Sequence, residues 1–189
     1  MCCRYYILSE TYTRLPGLLG CDTDGEGITG DIRPADRAAV VCAKEGKPAL
    51  EMMKWGYPGV MNKGLIINAR AESLEEKAMF RLDYQFRRCV IPAAGFYEWD
   101  KNRQKATFRL PEERICYLAG IFRLFADMAH FAVITTAANA SMIRIHERMP
   151  LLIAEADILQ WLGDGFRELM RAEMPLLDVH IENEQLSFA

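Results

Sequence analysis

The start of the chain, MCCRYYILSE, offers chemistry that no internal cysteine has. Removal of Met1 would leave Cys2 with a free α-amine and a thiol on adjacent carbon atoms. An α-amino group titrates at about pH 7.7–8.0 and a free thiol at about pH 8.5, so both are partly reactive at neutral pH. Cys2 with Arg4 is therefore the first cluster of candidate site residues.

Two further clusters of polar residues stand at the ends of predicted strands. Asn68, Arg70 and Glu72 lie in NARAES, while Glu98 in GFYEW has His146 in IHERMP as a companion. A carboxyl group and an imidazole are a common pair for general acid–base catalysis. Each cluster also has a purely structural interpretation. Asn68 could cap a turn, Arg70 and Glu72 could form an exposed pair, Glu98 could face solvent, and His146 could be a half-buried residue that ends a helix.

The elements that must position these residues are mostly short strands. Hydrophobic residues make up 51% of the chain and charged residues 26%, which is an ordinary globular balance. No apolar run approaches the roughly 20 residues that cross a bilayer. Many short segments rich in β-branched and aromatic residues alternate with turns, and only a few are helical. We expect one domain over residues 1–189, of the α+β class, with a strongly curved, barrel-like mixed β-sheet and a few flanking helices.

Several local expectations can be compared with the structure. The Gly, Pro and Asp residues of segment 15–34 predict an exposed loop. Ser73, with Glu76 three residues later, predicts a capping box at the start of a helix. Segment 157–173 is amphipathic at helical spacing but is interrupted by two glycines, Gly163 and Gly165. The stretch LDVHIEN alternates like an edge strand.

The cysteines indicate a reducing compartment, which we take to be the cytoplasm. The chain has six cysteines and three histidines, without a C-x-x-C motif or zinc-finger spacing. Free cysteine is among the most buried residue types, so Cys42, Cys89 and Cys116 are expected to be buried thiols. We expect no metal ion and no organic cofactor. The formal net charge of −3 weakly disfavours a protein coated in DNA, but it permits a local basic groove.

Four motifs occur here in one order: MC-x-RYY, NARAES, RRCVIPAAGFYEW and TTAANASMIRIHERMPLLI. Together they resemble the SOS response-associated peptidase (SRAP) family, over residues 2 to about 153. The resemblance implies that the mature N-terminal cysteine bonds covalently to the ring-opened aldehyde of an abasic deoxyribose in single-stranded DNA. The product would be a thiazolidine that shields the lesion during the response to DNA damage. The family name also implies a peptidase activity, and strand cleavage by a lyase reaction is a further expectation.

The resemblance implies a role for each catalytic candidate. Cys2 matches the nucleophile. Asn68 matches the asparagine that holds the N-terminal amine and the sugar. Glu98 and His146 match the acid–base pair.

The resemblance also implies a DNA-binding set. Arg4 and Arg70 match arginines that grip the phosphates beside the lesion, and Arg81 resembles a further backbone-binding arginine. Trp55 could stack on a base beside the lesion or could belong to the core. One departure concerns the third residue, because Cys3 stands where the family motif has glycine. Cysteine adds a Cβ and a thiol that could crowd the site or supply a second thiol.

Two other classes of function remain open. The first is a peptidase or amidohydrolase with an N-terminal cysteine nucleophile, in which His146 and Glu98 serve as base and orienting group. The second is a non-catalytic domain that binds single strands through phosphate contacts. In each case we expect a monomer that does not associate with membranes.

Overall fold

The computed structural model describes residues 3–20, 28–59, 61, 64–126 and 128–182. These residues form short strands connected by tight turns and a few helices. The first strands in chain order are β1 (Arg4–Ile7), β2 (Gly30–Ile32), β3 (Arg37–Lys44), β4 (Lys47–Trp55), β5 (Tyr57–Pro58), β6 (Leu65–Ile66), β7 (Asn68–Arg70) and β8 (Arg88–Ala93). The remaining strands are β9 (Gly95–Trp99), β10 (Lys105–Arg109), β11 (Cys116–Leu124), β12 (Ala129–Ala137), β13 (Arg148–Pro150), β14 (Leu152–Ile153) and β15 (Asp178–Ile181). The helices are α1 (Ser9–Leu19), α2 (Ala78–Phe86), α3 (Ile158–Leu162) and α4 (Phe166–Leu169).

The largest sheet closes on itself. Its strands follow the order β13-β12-β4-β3-β8-β11-β14, and β12 also pairs with β11, so that β12, β4, β3, β8 and β11 form a ring. The short strand β7 continues the edge of β12 beyond β4, in parallel register. A second sheet has the order β15-β10-β9-β1-β2, and β5 pairs with β6. The expected α+β class and the barrel-like sheet are confirmed.

Both faces of the barrel wall are buried. Alternate residues of each strand point to opposite sides, and each side packs in its own core cluster. One core cluster includes Phe131 and Val133 of β12, together with Tyr5, Phe96 and Phe108 of the second sheet. The other cluster contains the intervening residues of the wall, which pack against α2, α3 and α4. The three expected buried cysteines are confirmed as core thiols: Cys42, Cys89 and Cys116.

Helix α1 overturns part of the loop prediction for residues 15–34. Its last half contains Pro16 and Gly17, which disfavour a helix, yet the helix runs to Leu19 and ends at Gly20 with φ of 60°. Leu15 is fully buried in the second core cluster. Burial of this face stabilises the helix more than its local sequence does. Residues 21–27 of the predicted loop lie outside the described residues.

The predicted capping box at Ser73 is wrong. The hydroxyl of Ser73 donates back to the carbonyl oxygen of Arg70 at 3.3 Å and so closes a short 3-10 turn. Helix α2 begins only at Ala78 and has no side-chain cap. The predicted interruption of the C-terminal helix at its two glycines is confirmed, since α3 ends before the first and α4 begins after the second. Strand β15 is confirmed as an edge strand, because it pairs with β10 alone.

Candidate active site

The pairing of β1 with β9 brings the start of the chain against Glu98. Arg4 lies opposite Tyr97, and Tyr5 lies opposite Phe96. One further step of this antiparallel register places Cys3 across from Glu98. Glu98 is only 3% exposed, because it shares the inward face of β9 with Phe96. The solvent-facing interpretation of Glu98 is therefore wrong.

The electrostatics of Cys3 agree with this placement. Burial and the negative charge of Glu98 raise the pKa of the Cys3 thiol, while the guanidinium of Arg4 acts in the opposite direction. The thiol of Cys3 is thus held in its neutral form beside the buried carboxyl group. The predicted nucleophile, Cys2, lies outside the described residues and is joined to Cys3 by one peptide bond.

Strand β7 presents Asn68 and Arg70 on one side and the buried Ala69 on the other. Val133 and Thr135 of β12 pair with Asn68 and Arg70. Asn68 is half-buried with a buried side-chain oxygen, whereas Arg70 is exposed. No acidic residue in the described part of the chain forms an ion pair with Arg70. The geometry therefore leaves this guanidinium accessible to an anion such as a phosphate.

Trp55 belongs to the core, and the base-stacking interpretation does not hold. Its ring is fully buried between Tyr5 and Phe131, at centroid distances of 5.1 Å and 6.1 Å. Its indole N–H donates to the carbonyl oxygen of Ile67 at 3.0 Å. Trp55 thus connects β1 to the residue that precedes Asn68, and it positions the site from beneath.

His146 ends the turn between β12 and β13 and is half-buried. Its Nδ1 atom lies 2.9 Å from the backbone nitrogen of Arg148, which can only donate a hydrogen bond. Nδ1 also lies 3.2 Å from the carbonyl oxygen of Arg148, which can only accept. We infer from the shorter contact that Nδ1 accepts, and that the neutral ring carries its hydrogen on Nε2. His146 can therefore present a proton donor through Nε2.

One core cluster underlies all three catalytic candidates that the structure describes. Phe96 belongs to it and stands two residues before Glu98; Ile67 and Ile145, which precede Asn68 and His146, pack against it. Three candidates that are distant in sequence are thus supported by the same core cluster.

The remaining DNA-binding candidates differ in their surroundings. Arg4 lies 3.8 Å from the carboxylate of Asp31, and its guanidinium is 5.4 Å from the ring centre of Trp99. Arg81 lies on the exposed side of α2, whose buried residues Phe80 and Tyr84 belong to the other core cluster. No contact within the described part of the chain joins Arg81 to the catalytic candidates.

Arg148 is a site residue that sequence reasoning missed. Its guanidinium forms a two-point hydrogen-bonded pair with Glu72, at 2.8 and 2.9 Å. The structural interpretation of NARAES instead paired Glu72 with Arg70, its near neighbour in sequence. The only sequence signal for Arg148 was its place two residues after His146.

Within the described ranges, no group of three or more His, Cys, Asp or Glu residues could hold a metal ion. None of the helices in the same residues is long and apolar enough to cross a membrane.

The fold is known from solved structures. A crystal structure of a protein from Bordetella bronchiseptica superposes with a TM-score of 0.80 and 18% identity, covering 96% of this chain and 100% of that one. The chain also matches the family described as SOS response associated peptidase (SRAP) over residues 1–188. The protein therefore belongs to the SRAP family.

Relatives within the family carry descriptive names. The chain is 28% identical over 147 residues to the abasic site processing protein YoaM of Bacillus subtilis, which covers 70% of this chain and 65% of YoaM. It is 27% identical over 141 residues to the abasic site processing protein YedK of Escherichia coli, which covers 70% of this chain and 63% of YedK. The matched region thus spans slightly less than two thirds of these relatives.

Proposed function

We propose that this protein processes abasic sites by forming a covalent crosslink between Cys2 and single-stranded DNA. Removal of Met1 would expose the α-amine of Cys2. The placement of Cys3 across from the buried Glu98 is the observation that best supports this proposal, because it brings the residue next to Cys2 close to a carboxyl group. Membership of the SRAP family, and the names of the relatives, support abasic DNA as the substrate.

The chemistry needs one amine, one thiol and proton transfer. The amine nitrogen attacks the C1′ aldehyde of the ring-opened sugar, and the resulting carbinolamine loses water to give an imine. The sulfur of Cys2 then adds to the imine carbon while the nitrogen takes up a proton, which closes a five-membered thiazolidine. Asn68 holds the amine and the sugar. Glu98 and His146 transfer the protons that ring opening and water loss require.

The arginines supply the affinity for the strand. Arg70 is exposed and Arg4 is partly exposed, and the planar guanidinium group suits phosphate oxygens. Arg81 would contribute only at a distance from the reacting atoms, along the strand. The protein would act as a monomer on damaged DNA in the cytoplasm, during the SOS response.

A denaturing gel with a single-stranded oligonucleotide that holds one abasic site tests this assignment. Glu98→Gln should slow formation of the crosslinked band by about 100-fold or more, as expected for loss of a positioned acid–base group. Asn68→Ala should also slow it, because the amine and the sugar are then less well positioned. Glu51→Gln is the control, since Glu51 lies on β4 and forms an ion pair with Lys44 of β3. Equal rates for Glu98→Gln and this control would contradict the role of Glu98.

The same assay separates the alternative functions. A cysteine peptidase would cleave peptides or amides without any aldehyde, and a simple single-strand binder would hold intact and abasic DNA equally well. Cys2→Ala should abolish the heat-stable band while noncovalent binding persists. A band that survives Cys2→Ala would contradict the thiazolidine.

A further inference from the structure

The ion pair between Glu72 and Arg148 joins two parts of the site that are distant in sequence. Glu72 lies in the 3-10 turn that directly follows β7, and Arg148 begins β13. Each guanidinium Nη atom donates to a different oxygen of Glu72, at 2.8 and 2.9 Å. The Arg148 side chain is only 12% exposed, whereas that of Glu72 is 56% exposed. A two-point pair of this kind fixes orientation as well as distance.

Arg148 also contacts the neighbouring strand and the catalytic imidazole. Its Nη2 donates to the carbonyl oxygen of Thr135 at 2.6 Å, and Thr135 is the residue of β12 that pairs with Arg70. Its backbone N–H donates to Nδ1 of His146 at 2.9 Å. One residue therefore connects the end of β7, the middle of β12 and the ring of His146.

Strand β7 needs such an anchor because it is short. It has three residues, Asn68 to Arg70, and among the described residues it pairs with β12 alone. The 3-10 turn that follows contains no buried residue that would fasten it. Burial acts to raise the pKa of Glu72, but hydrogen bonds from Arg148 and the backbone, with the charges of Arg148 and Arg70, lower the pKa overall. Glu72 is thus held ionised, as the pair requires.

We propose that Glu72 is a positioning residue that, through Arg148, fixes Asn68 on β7 relative to His146. This inference rests on the proposed function, since it assigns Glu72 to the geometry of that same site. Glu72 does not touch the DNA and does not transfer a proton. Its contribution is to hold the amide of Asn68 and the imidazole of His146 in a fixed relative position. Small displacements of such groups lower reaction rates strongly.

The proposal predicts opposite effects on binding and on chemistry. Removing the negative charge of Glu72 beside Arg70 should leave the affinity for DNA unchanged or slightly higher, because this carboxylate no longer repels the phosphates. Loss of the anchor should slow crosslinking at saturating DNA by roughly 10-fold, as misplacement of reacting groups does. Glu72→Ala should therefore lower the single-turnover rate constant without raising the dissociation constant for an intact oligonucleotide.

Matched variants make the test specific. Glu75→Ala removes the same charge three residues along, where Glu75 forms a single contact of 3.3 Å with Arg167, and it should leave the rate unchanged. Glu72→Gln keeps the shape of the side chain and one acceptor oxygen. Its single-turnover rate constant should lie between those of Glu72→Ala and wild type. A Glu72→Ala rate equal to that of Glu75→Ala would overturn the proposal. So would weaker DNA binding with an unchanged rate at saturation.

A readout independent of activity separates this inference from the proposed function. Ring ¹⁵N chemical shifts of His146 report its tautomer, and wild type should show hydrogen on Nε2. Glu72→Ala should shift the ring towards a mixture of tautomers, whereas Glu75→Ala should not. If wild type forms no crosslink, the proposed function fails while this measurement still decides the positioning role. Identical His146 spectra in wild type and Glu72→Ala would overturn it.

Discussion

At the scale of single residues, the buried carboxyl group of Glu98 is the most informative feature. Carboxyl groups are mostly exposed, so a nearly buried one is unusual. Glu98 is only 3% exposed, on the same face as the aromatic core residue Phe96. Besides burial, its charge raises the pKa of the Cys3 thiol, so it lies close to the first described residue of the chain. This placement makes Glu98 a candidate for proton transfer at that end of β1.

The interaction between Glu98 and Cys3 predicts a change in thiol reactivity. Only the thiolate is nucleophilic, and the charge of Glu98 raises the pKa of Cys3. Glu98→Gln removes that charge and should lower the pKa, so that Cys3 is alkylated faster by iodoacetamide at pH 8. Arg4→Gln should do the opposite, because the charge of Arg4 acts to lower this pKa.

Peptide mapping of the alkylated protein would measure each cysteine separately. Cys42 and Cys116 are internal controls, because burial raises the pKa of each to about 11 and both should stay unlabelled in every folded variant. Equal labelling of Cys3 in wild type, Glu98→Gln and Arg4→Gln would show that the β1–β9 register is not maintained at this end.

At the scale of elements, strand β9 carries Glu98 and depends on close contacts at its first residue. A Cβ at Gly95 would lie 2.5 Å from the carbonyl oxygen of Phe108 and 2.7 Å from the hydroxyl of Tyr6. The first of these atoms is backbone of β10 and cannot rotate away. A substitution here must push β9 from its neighbours, and Glu98 with it.

Gly95→Ala should therefore destabilise the protein by about 1–3 kcal/mol, the usual cost of overpacking. Urea unfolding measures this free energy directly. Gly17→Ala is the matched control, since its added Cβ meets nothing within 4 Å in helix α1. That change should stabilise the protein by roughly 0.5–1 kcal/mol, because alanine favours a helix over glycine. A stability change of the same sign in both variants would contradict the close packing at β9.

The elements also mark where sequence reasoning succeeds. The segments of strands β8 to β12 are rich in β-branched and aromatic residues and are separated by turn residues, so they can be found from local pattern alone. Helix α1 was missed because Pro16 and Gly17 are strong local signals for a loop, whereas the buried contact of Leu15 is a tertiary effect. Alternation placed Glu98 on the opposite face from Tyr97. It could not reveal that this face is covered, since the covering elements come from elsewhere in the chain.

At the scale of the whole molecule, barrel closure brings together residues that sequence cannot relate. Glu72 and Arg148 are 76 positions apart, and their pairing depends on the parallel register of β7 with β12. From sequence alone, Trp55 could stack on a base or belong to the core. Only the packing of the two sheets shows that its ring is buried. The motifs therefore named most of the candidate residues, but only the packed barrel distinguishes those that are buried beneath the candidate site from those that face the solvent.

The distribution of charge is also a property of the whole molecule. The formal net charge is −3, so the average field does not attract DNA. Affinity must come from a few local cations, among which Arg70 is exposed and has no ion-pair partner in the described ranges. Interactions of this kind weaken as the salt concentration rises, because the release of counterions from the strand is then less favourable.

The measurement that tests the central claim most directly is the intact mass of the protein before and after incubation with a single-stranded oligonucleotide that holds one abasic site. The proposal predicts a species that lacks Met1 and gains the mass of the oligonucleotide less one water, and that survives heating. Protein that lacks Met1 but forms no such adduct would contradict the crosslinking function.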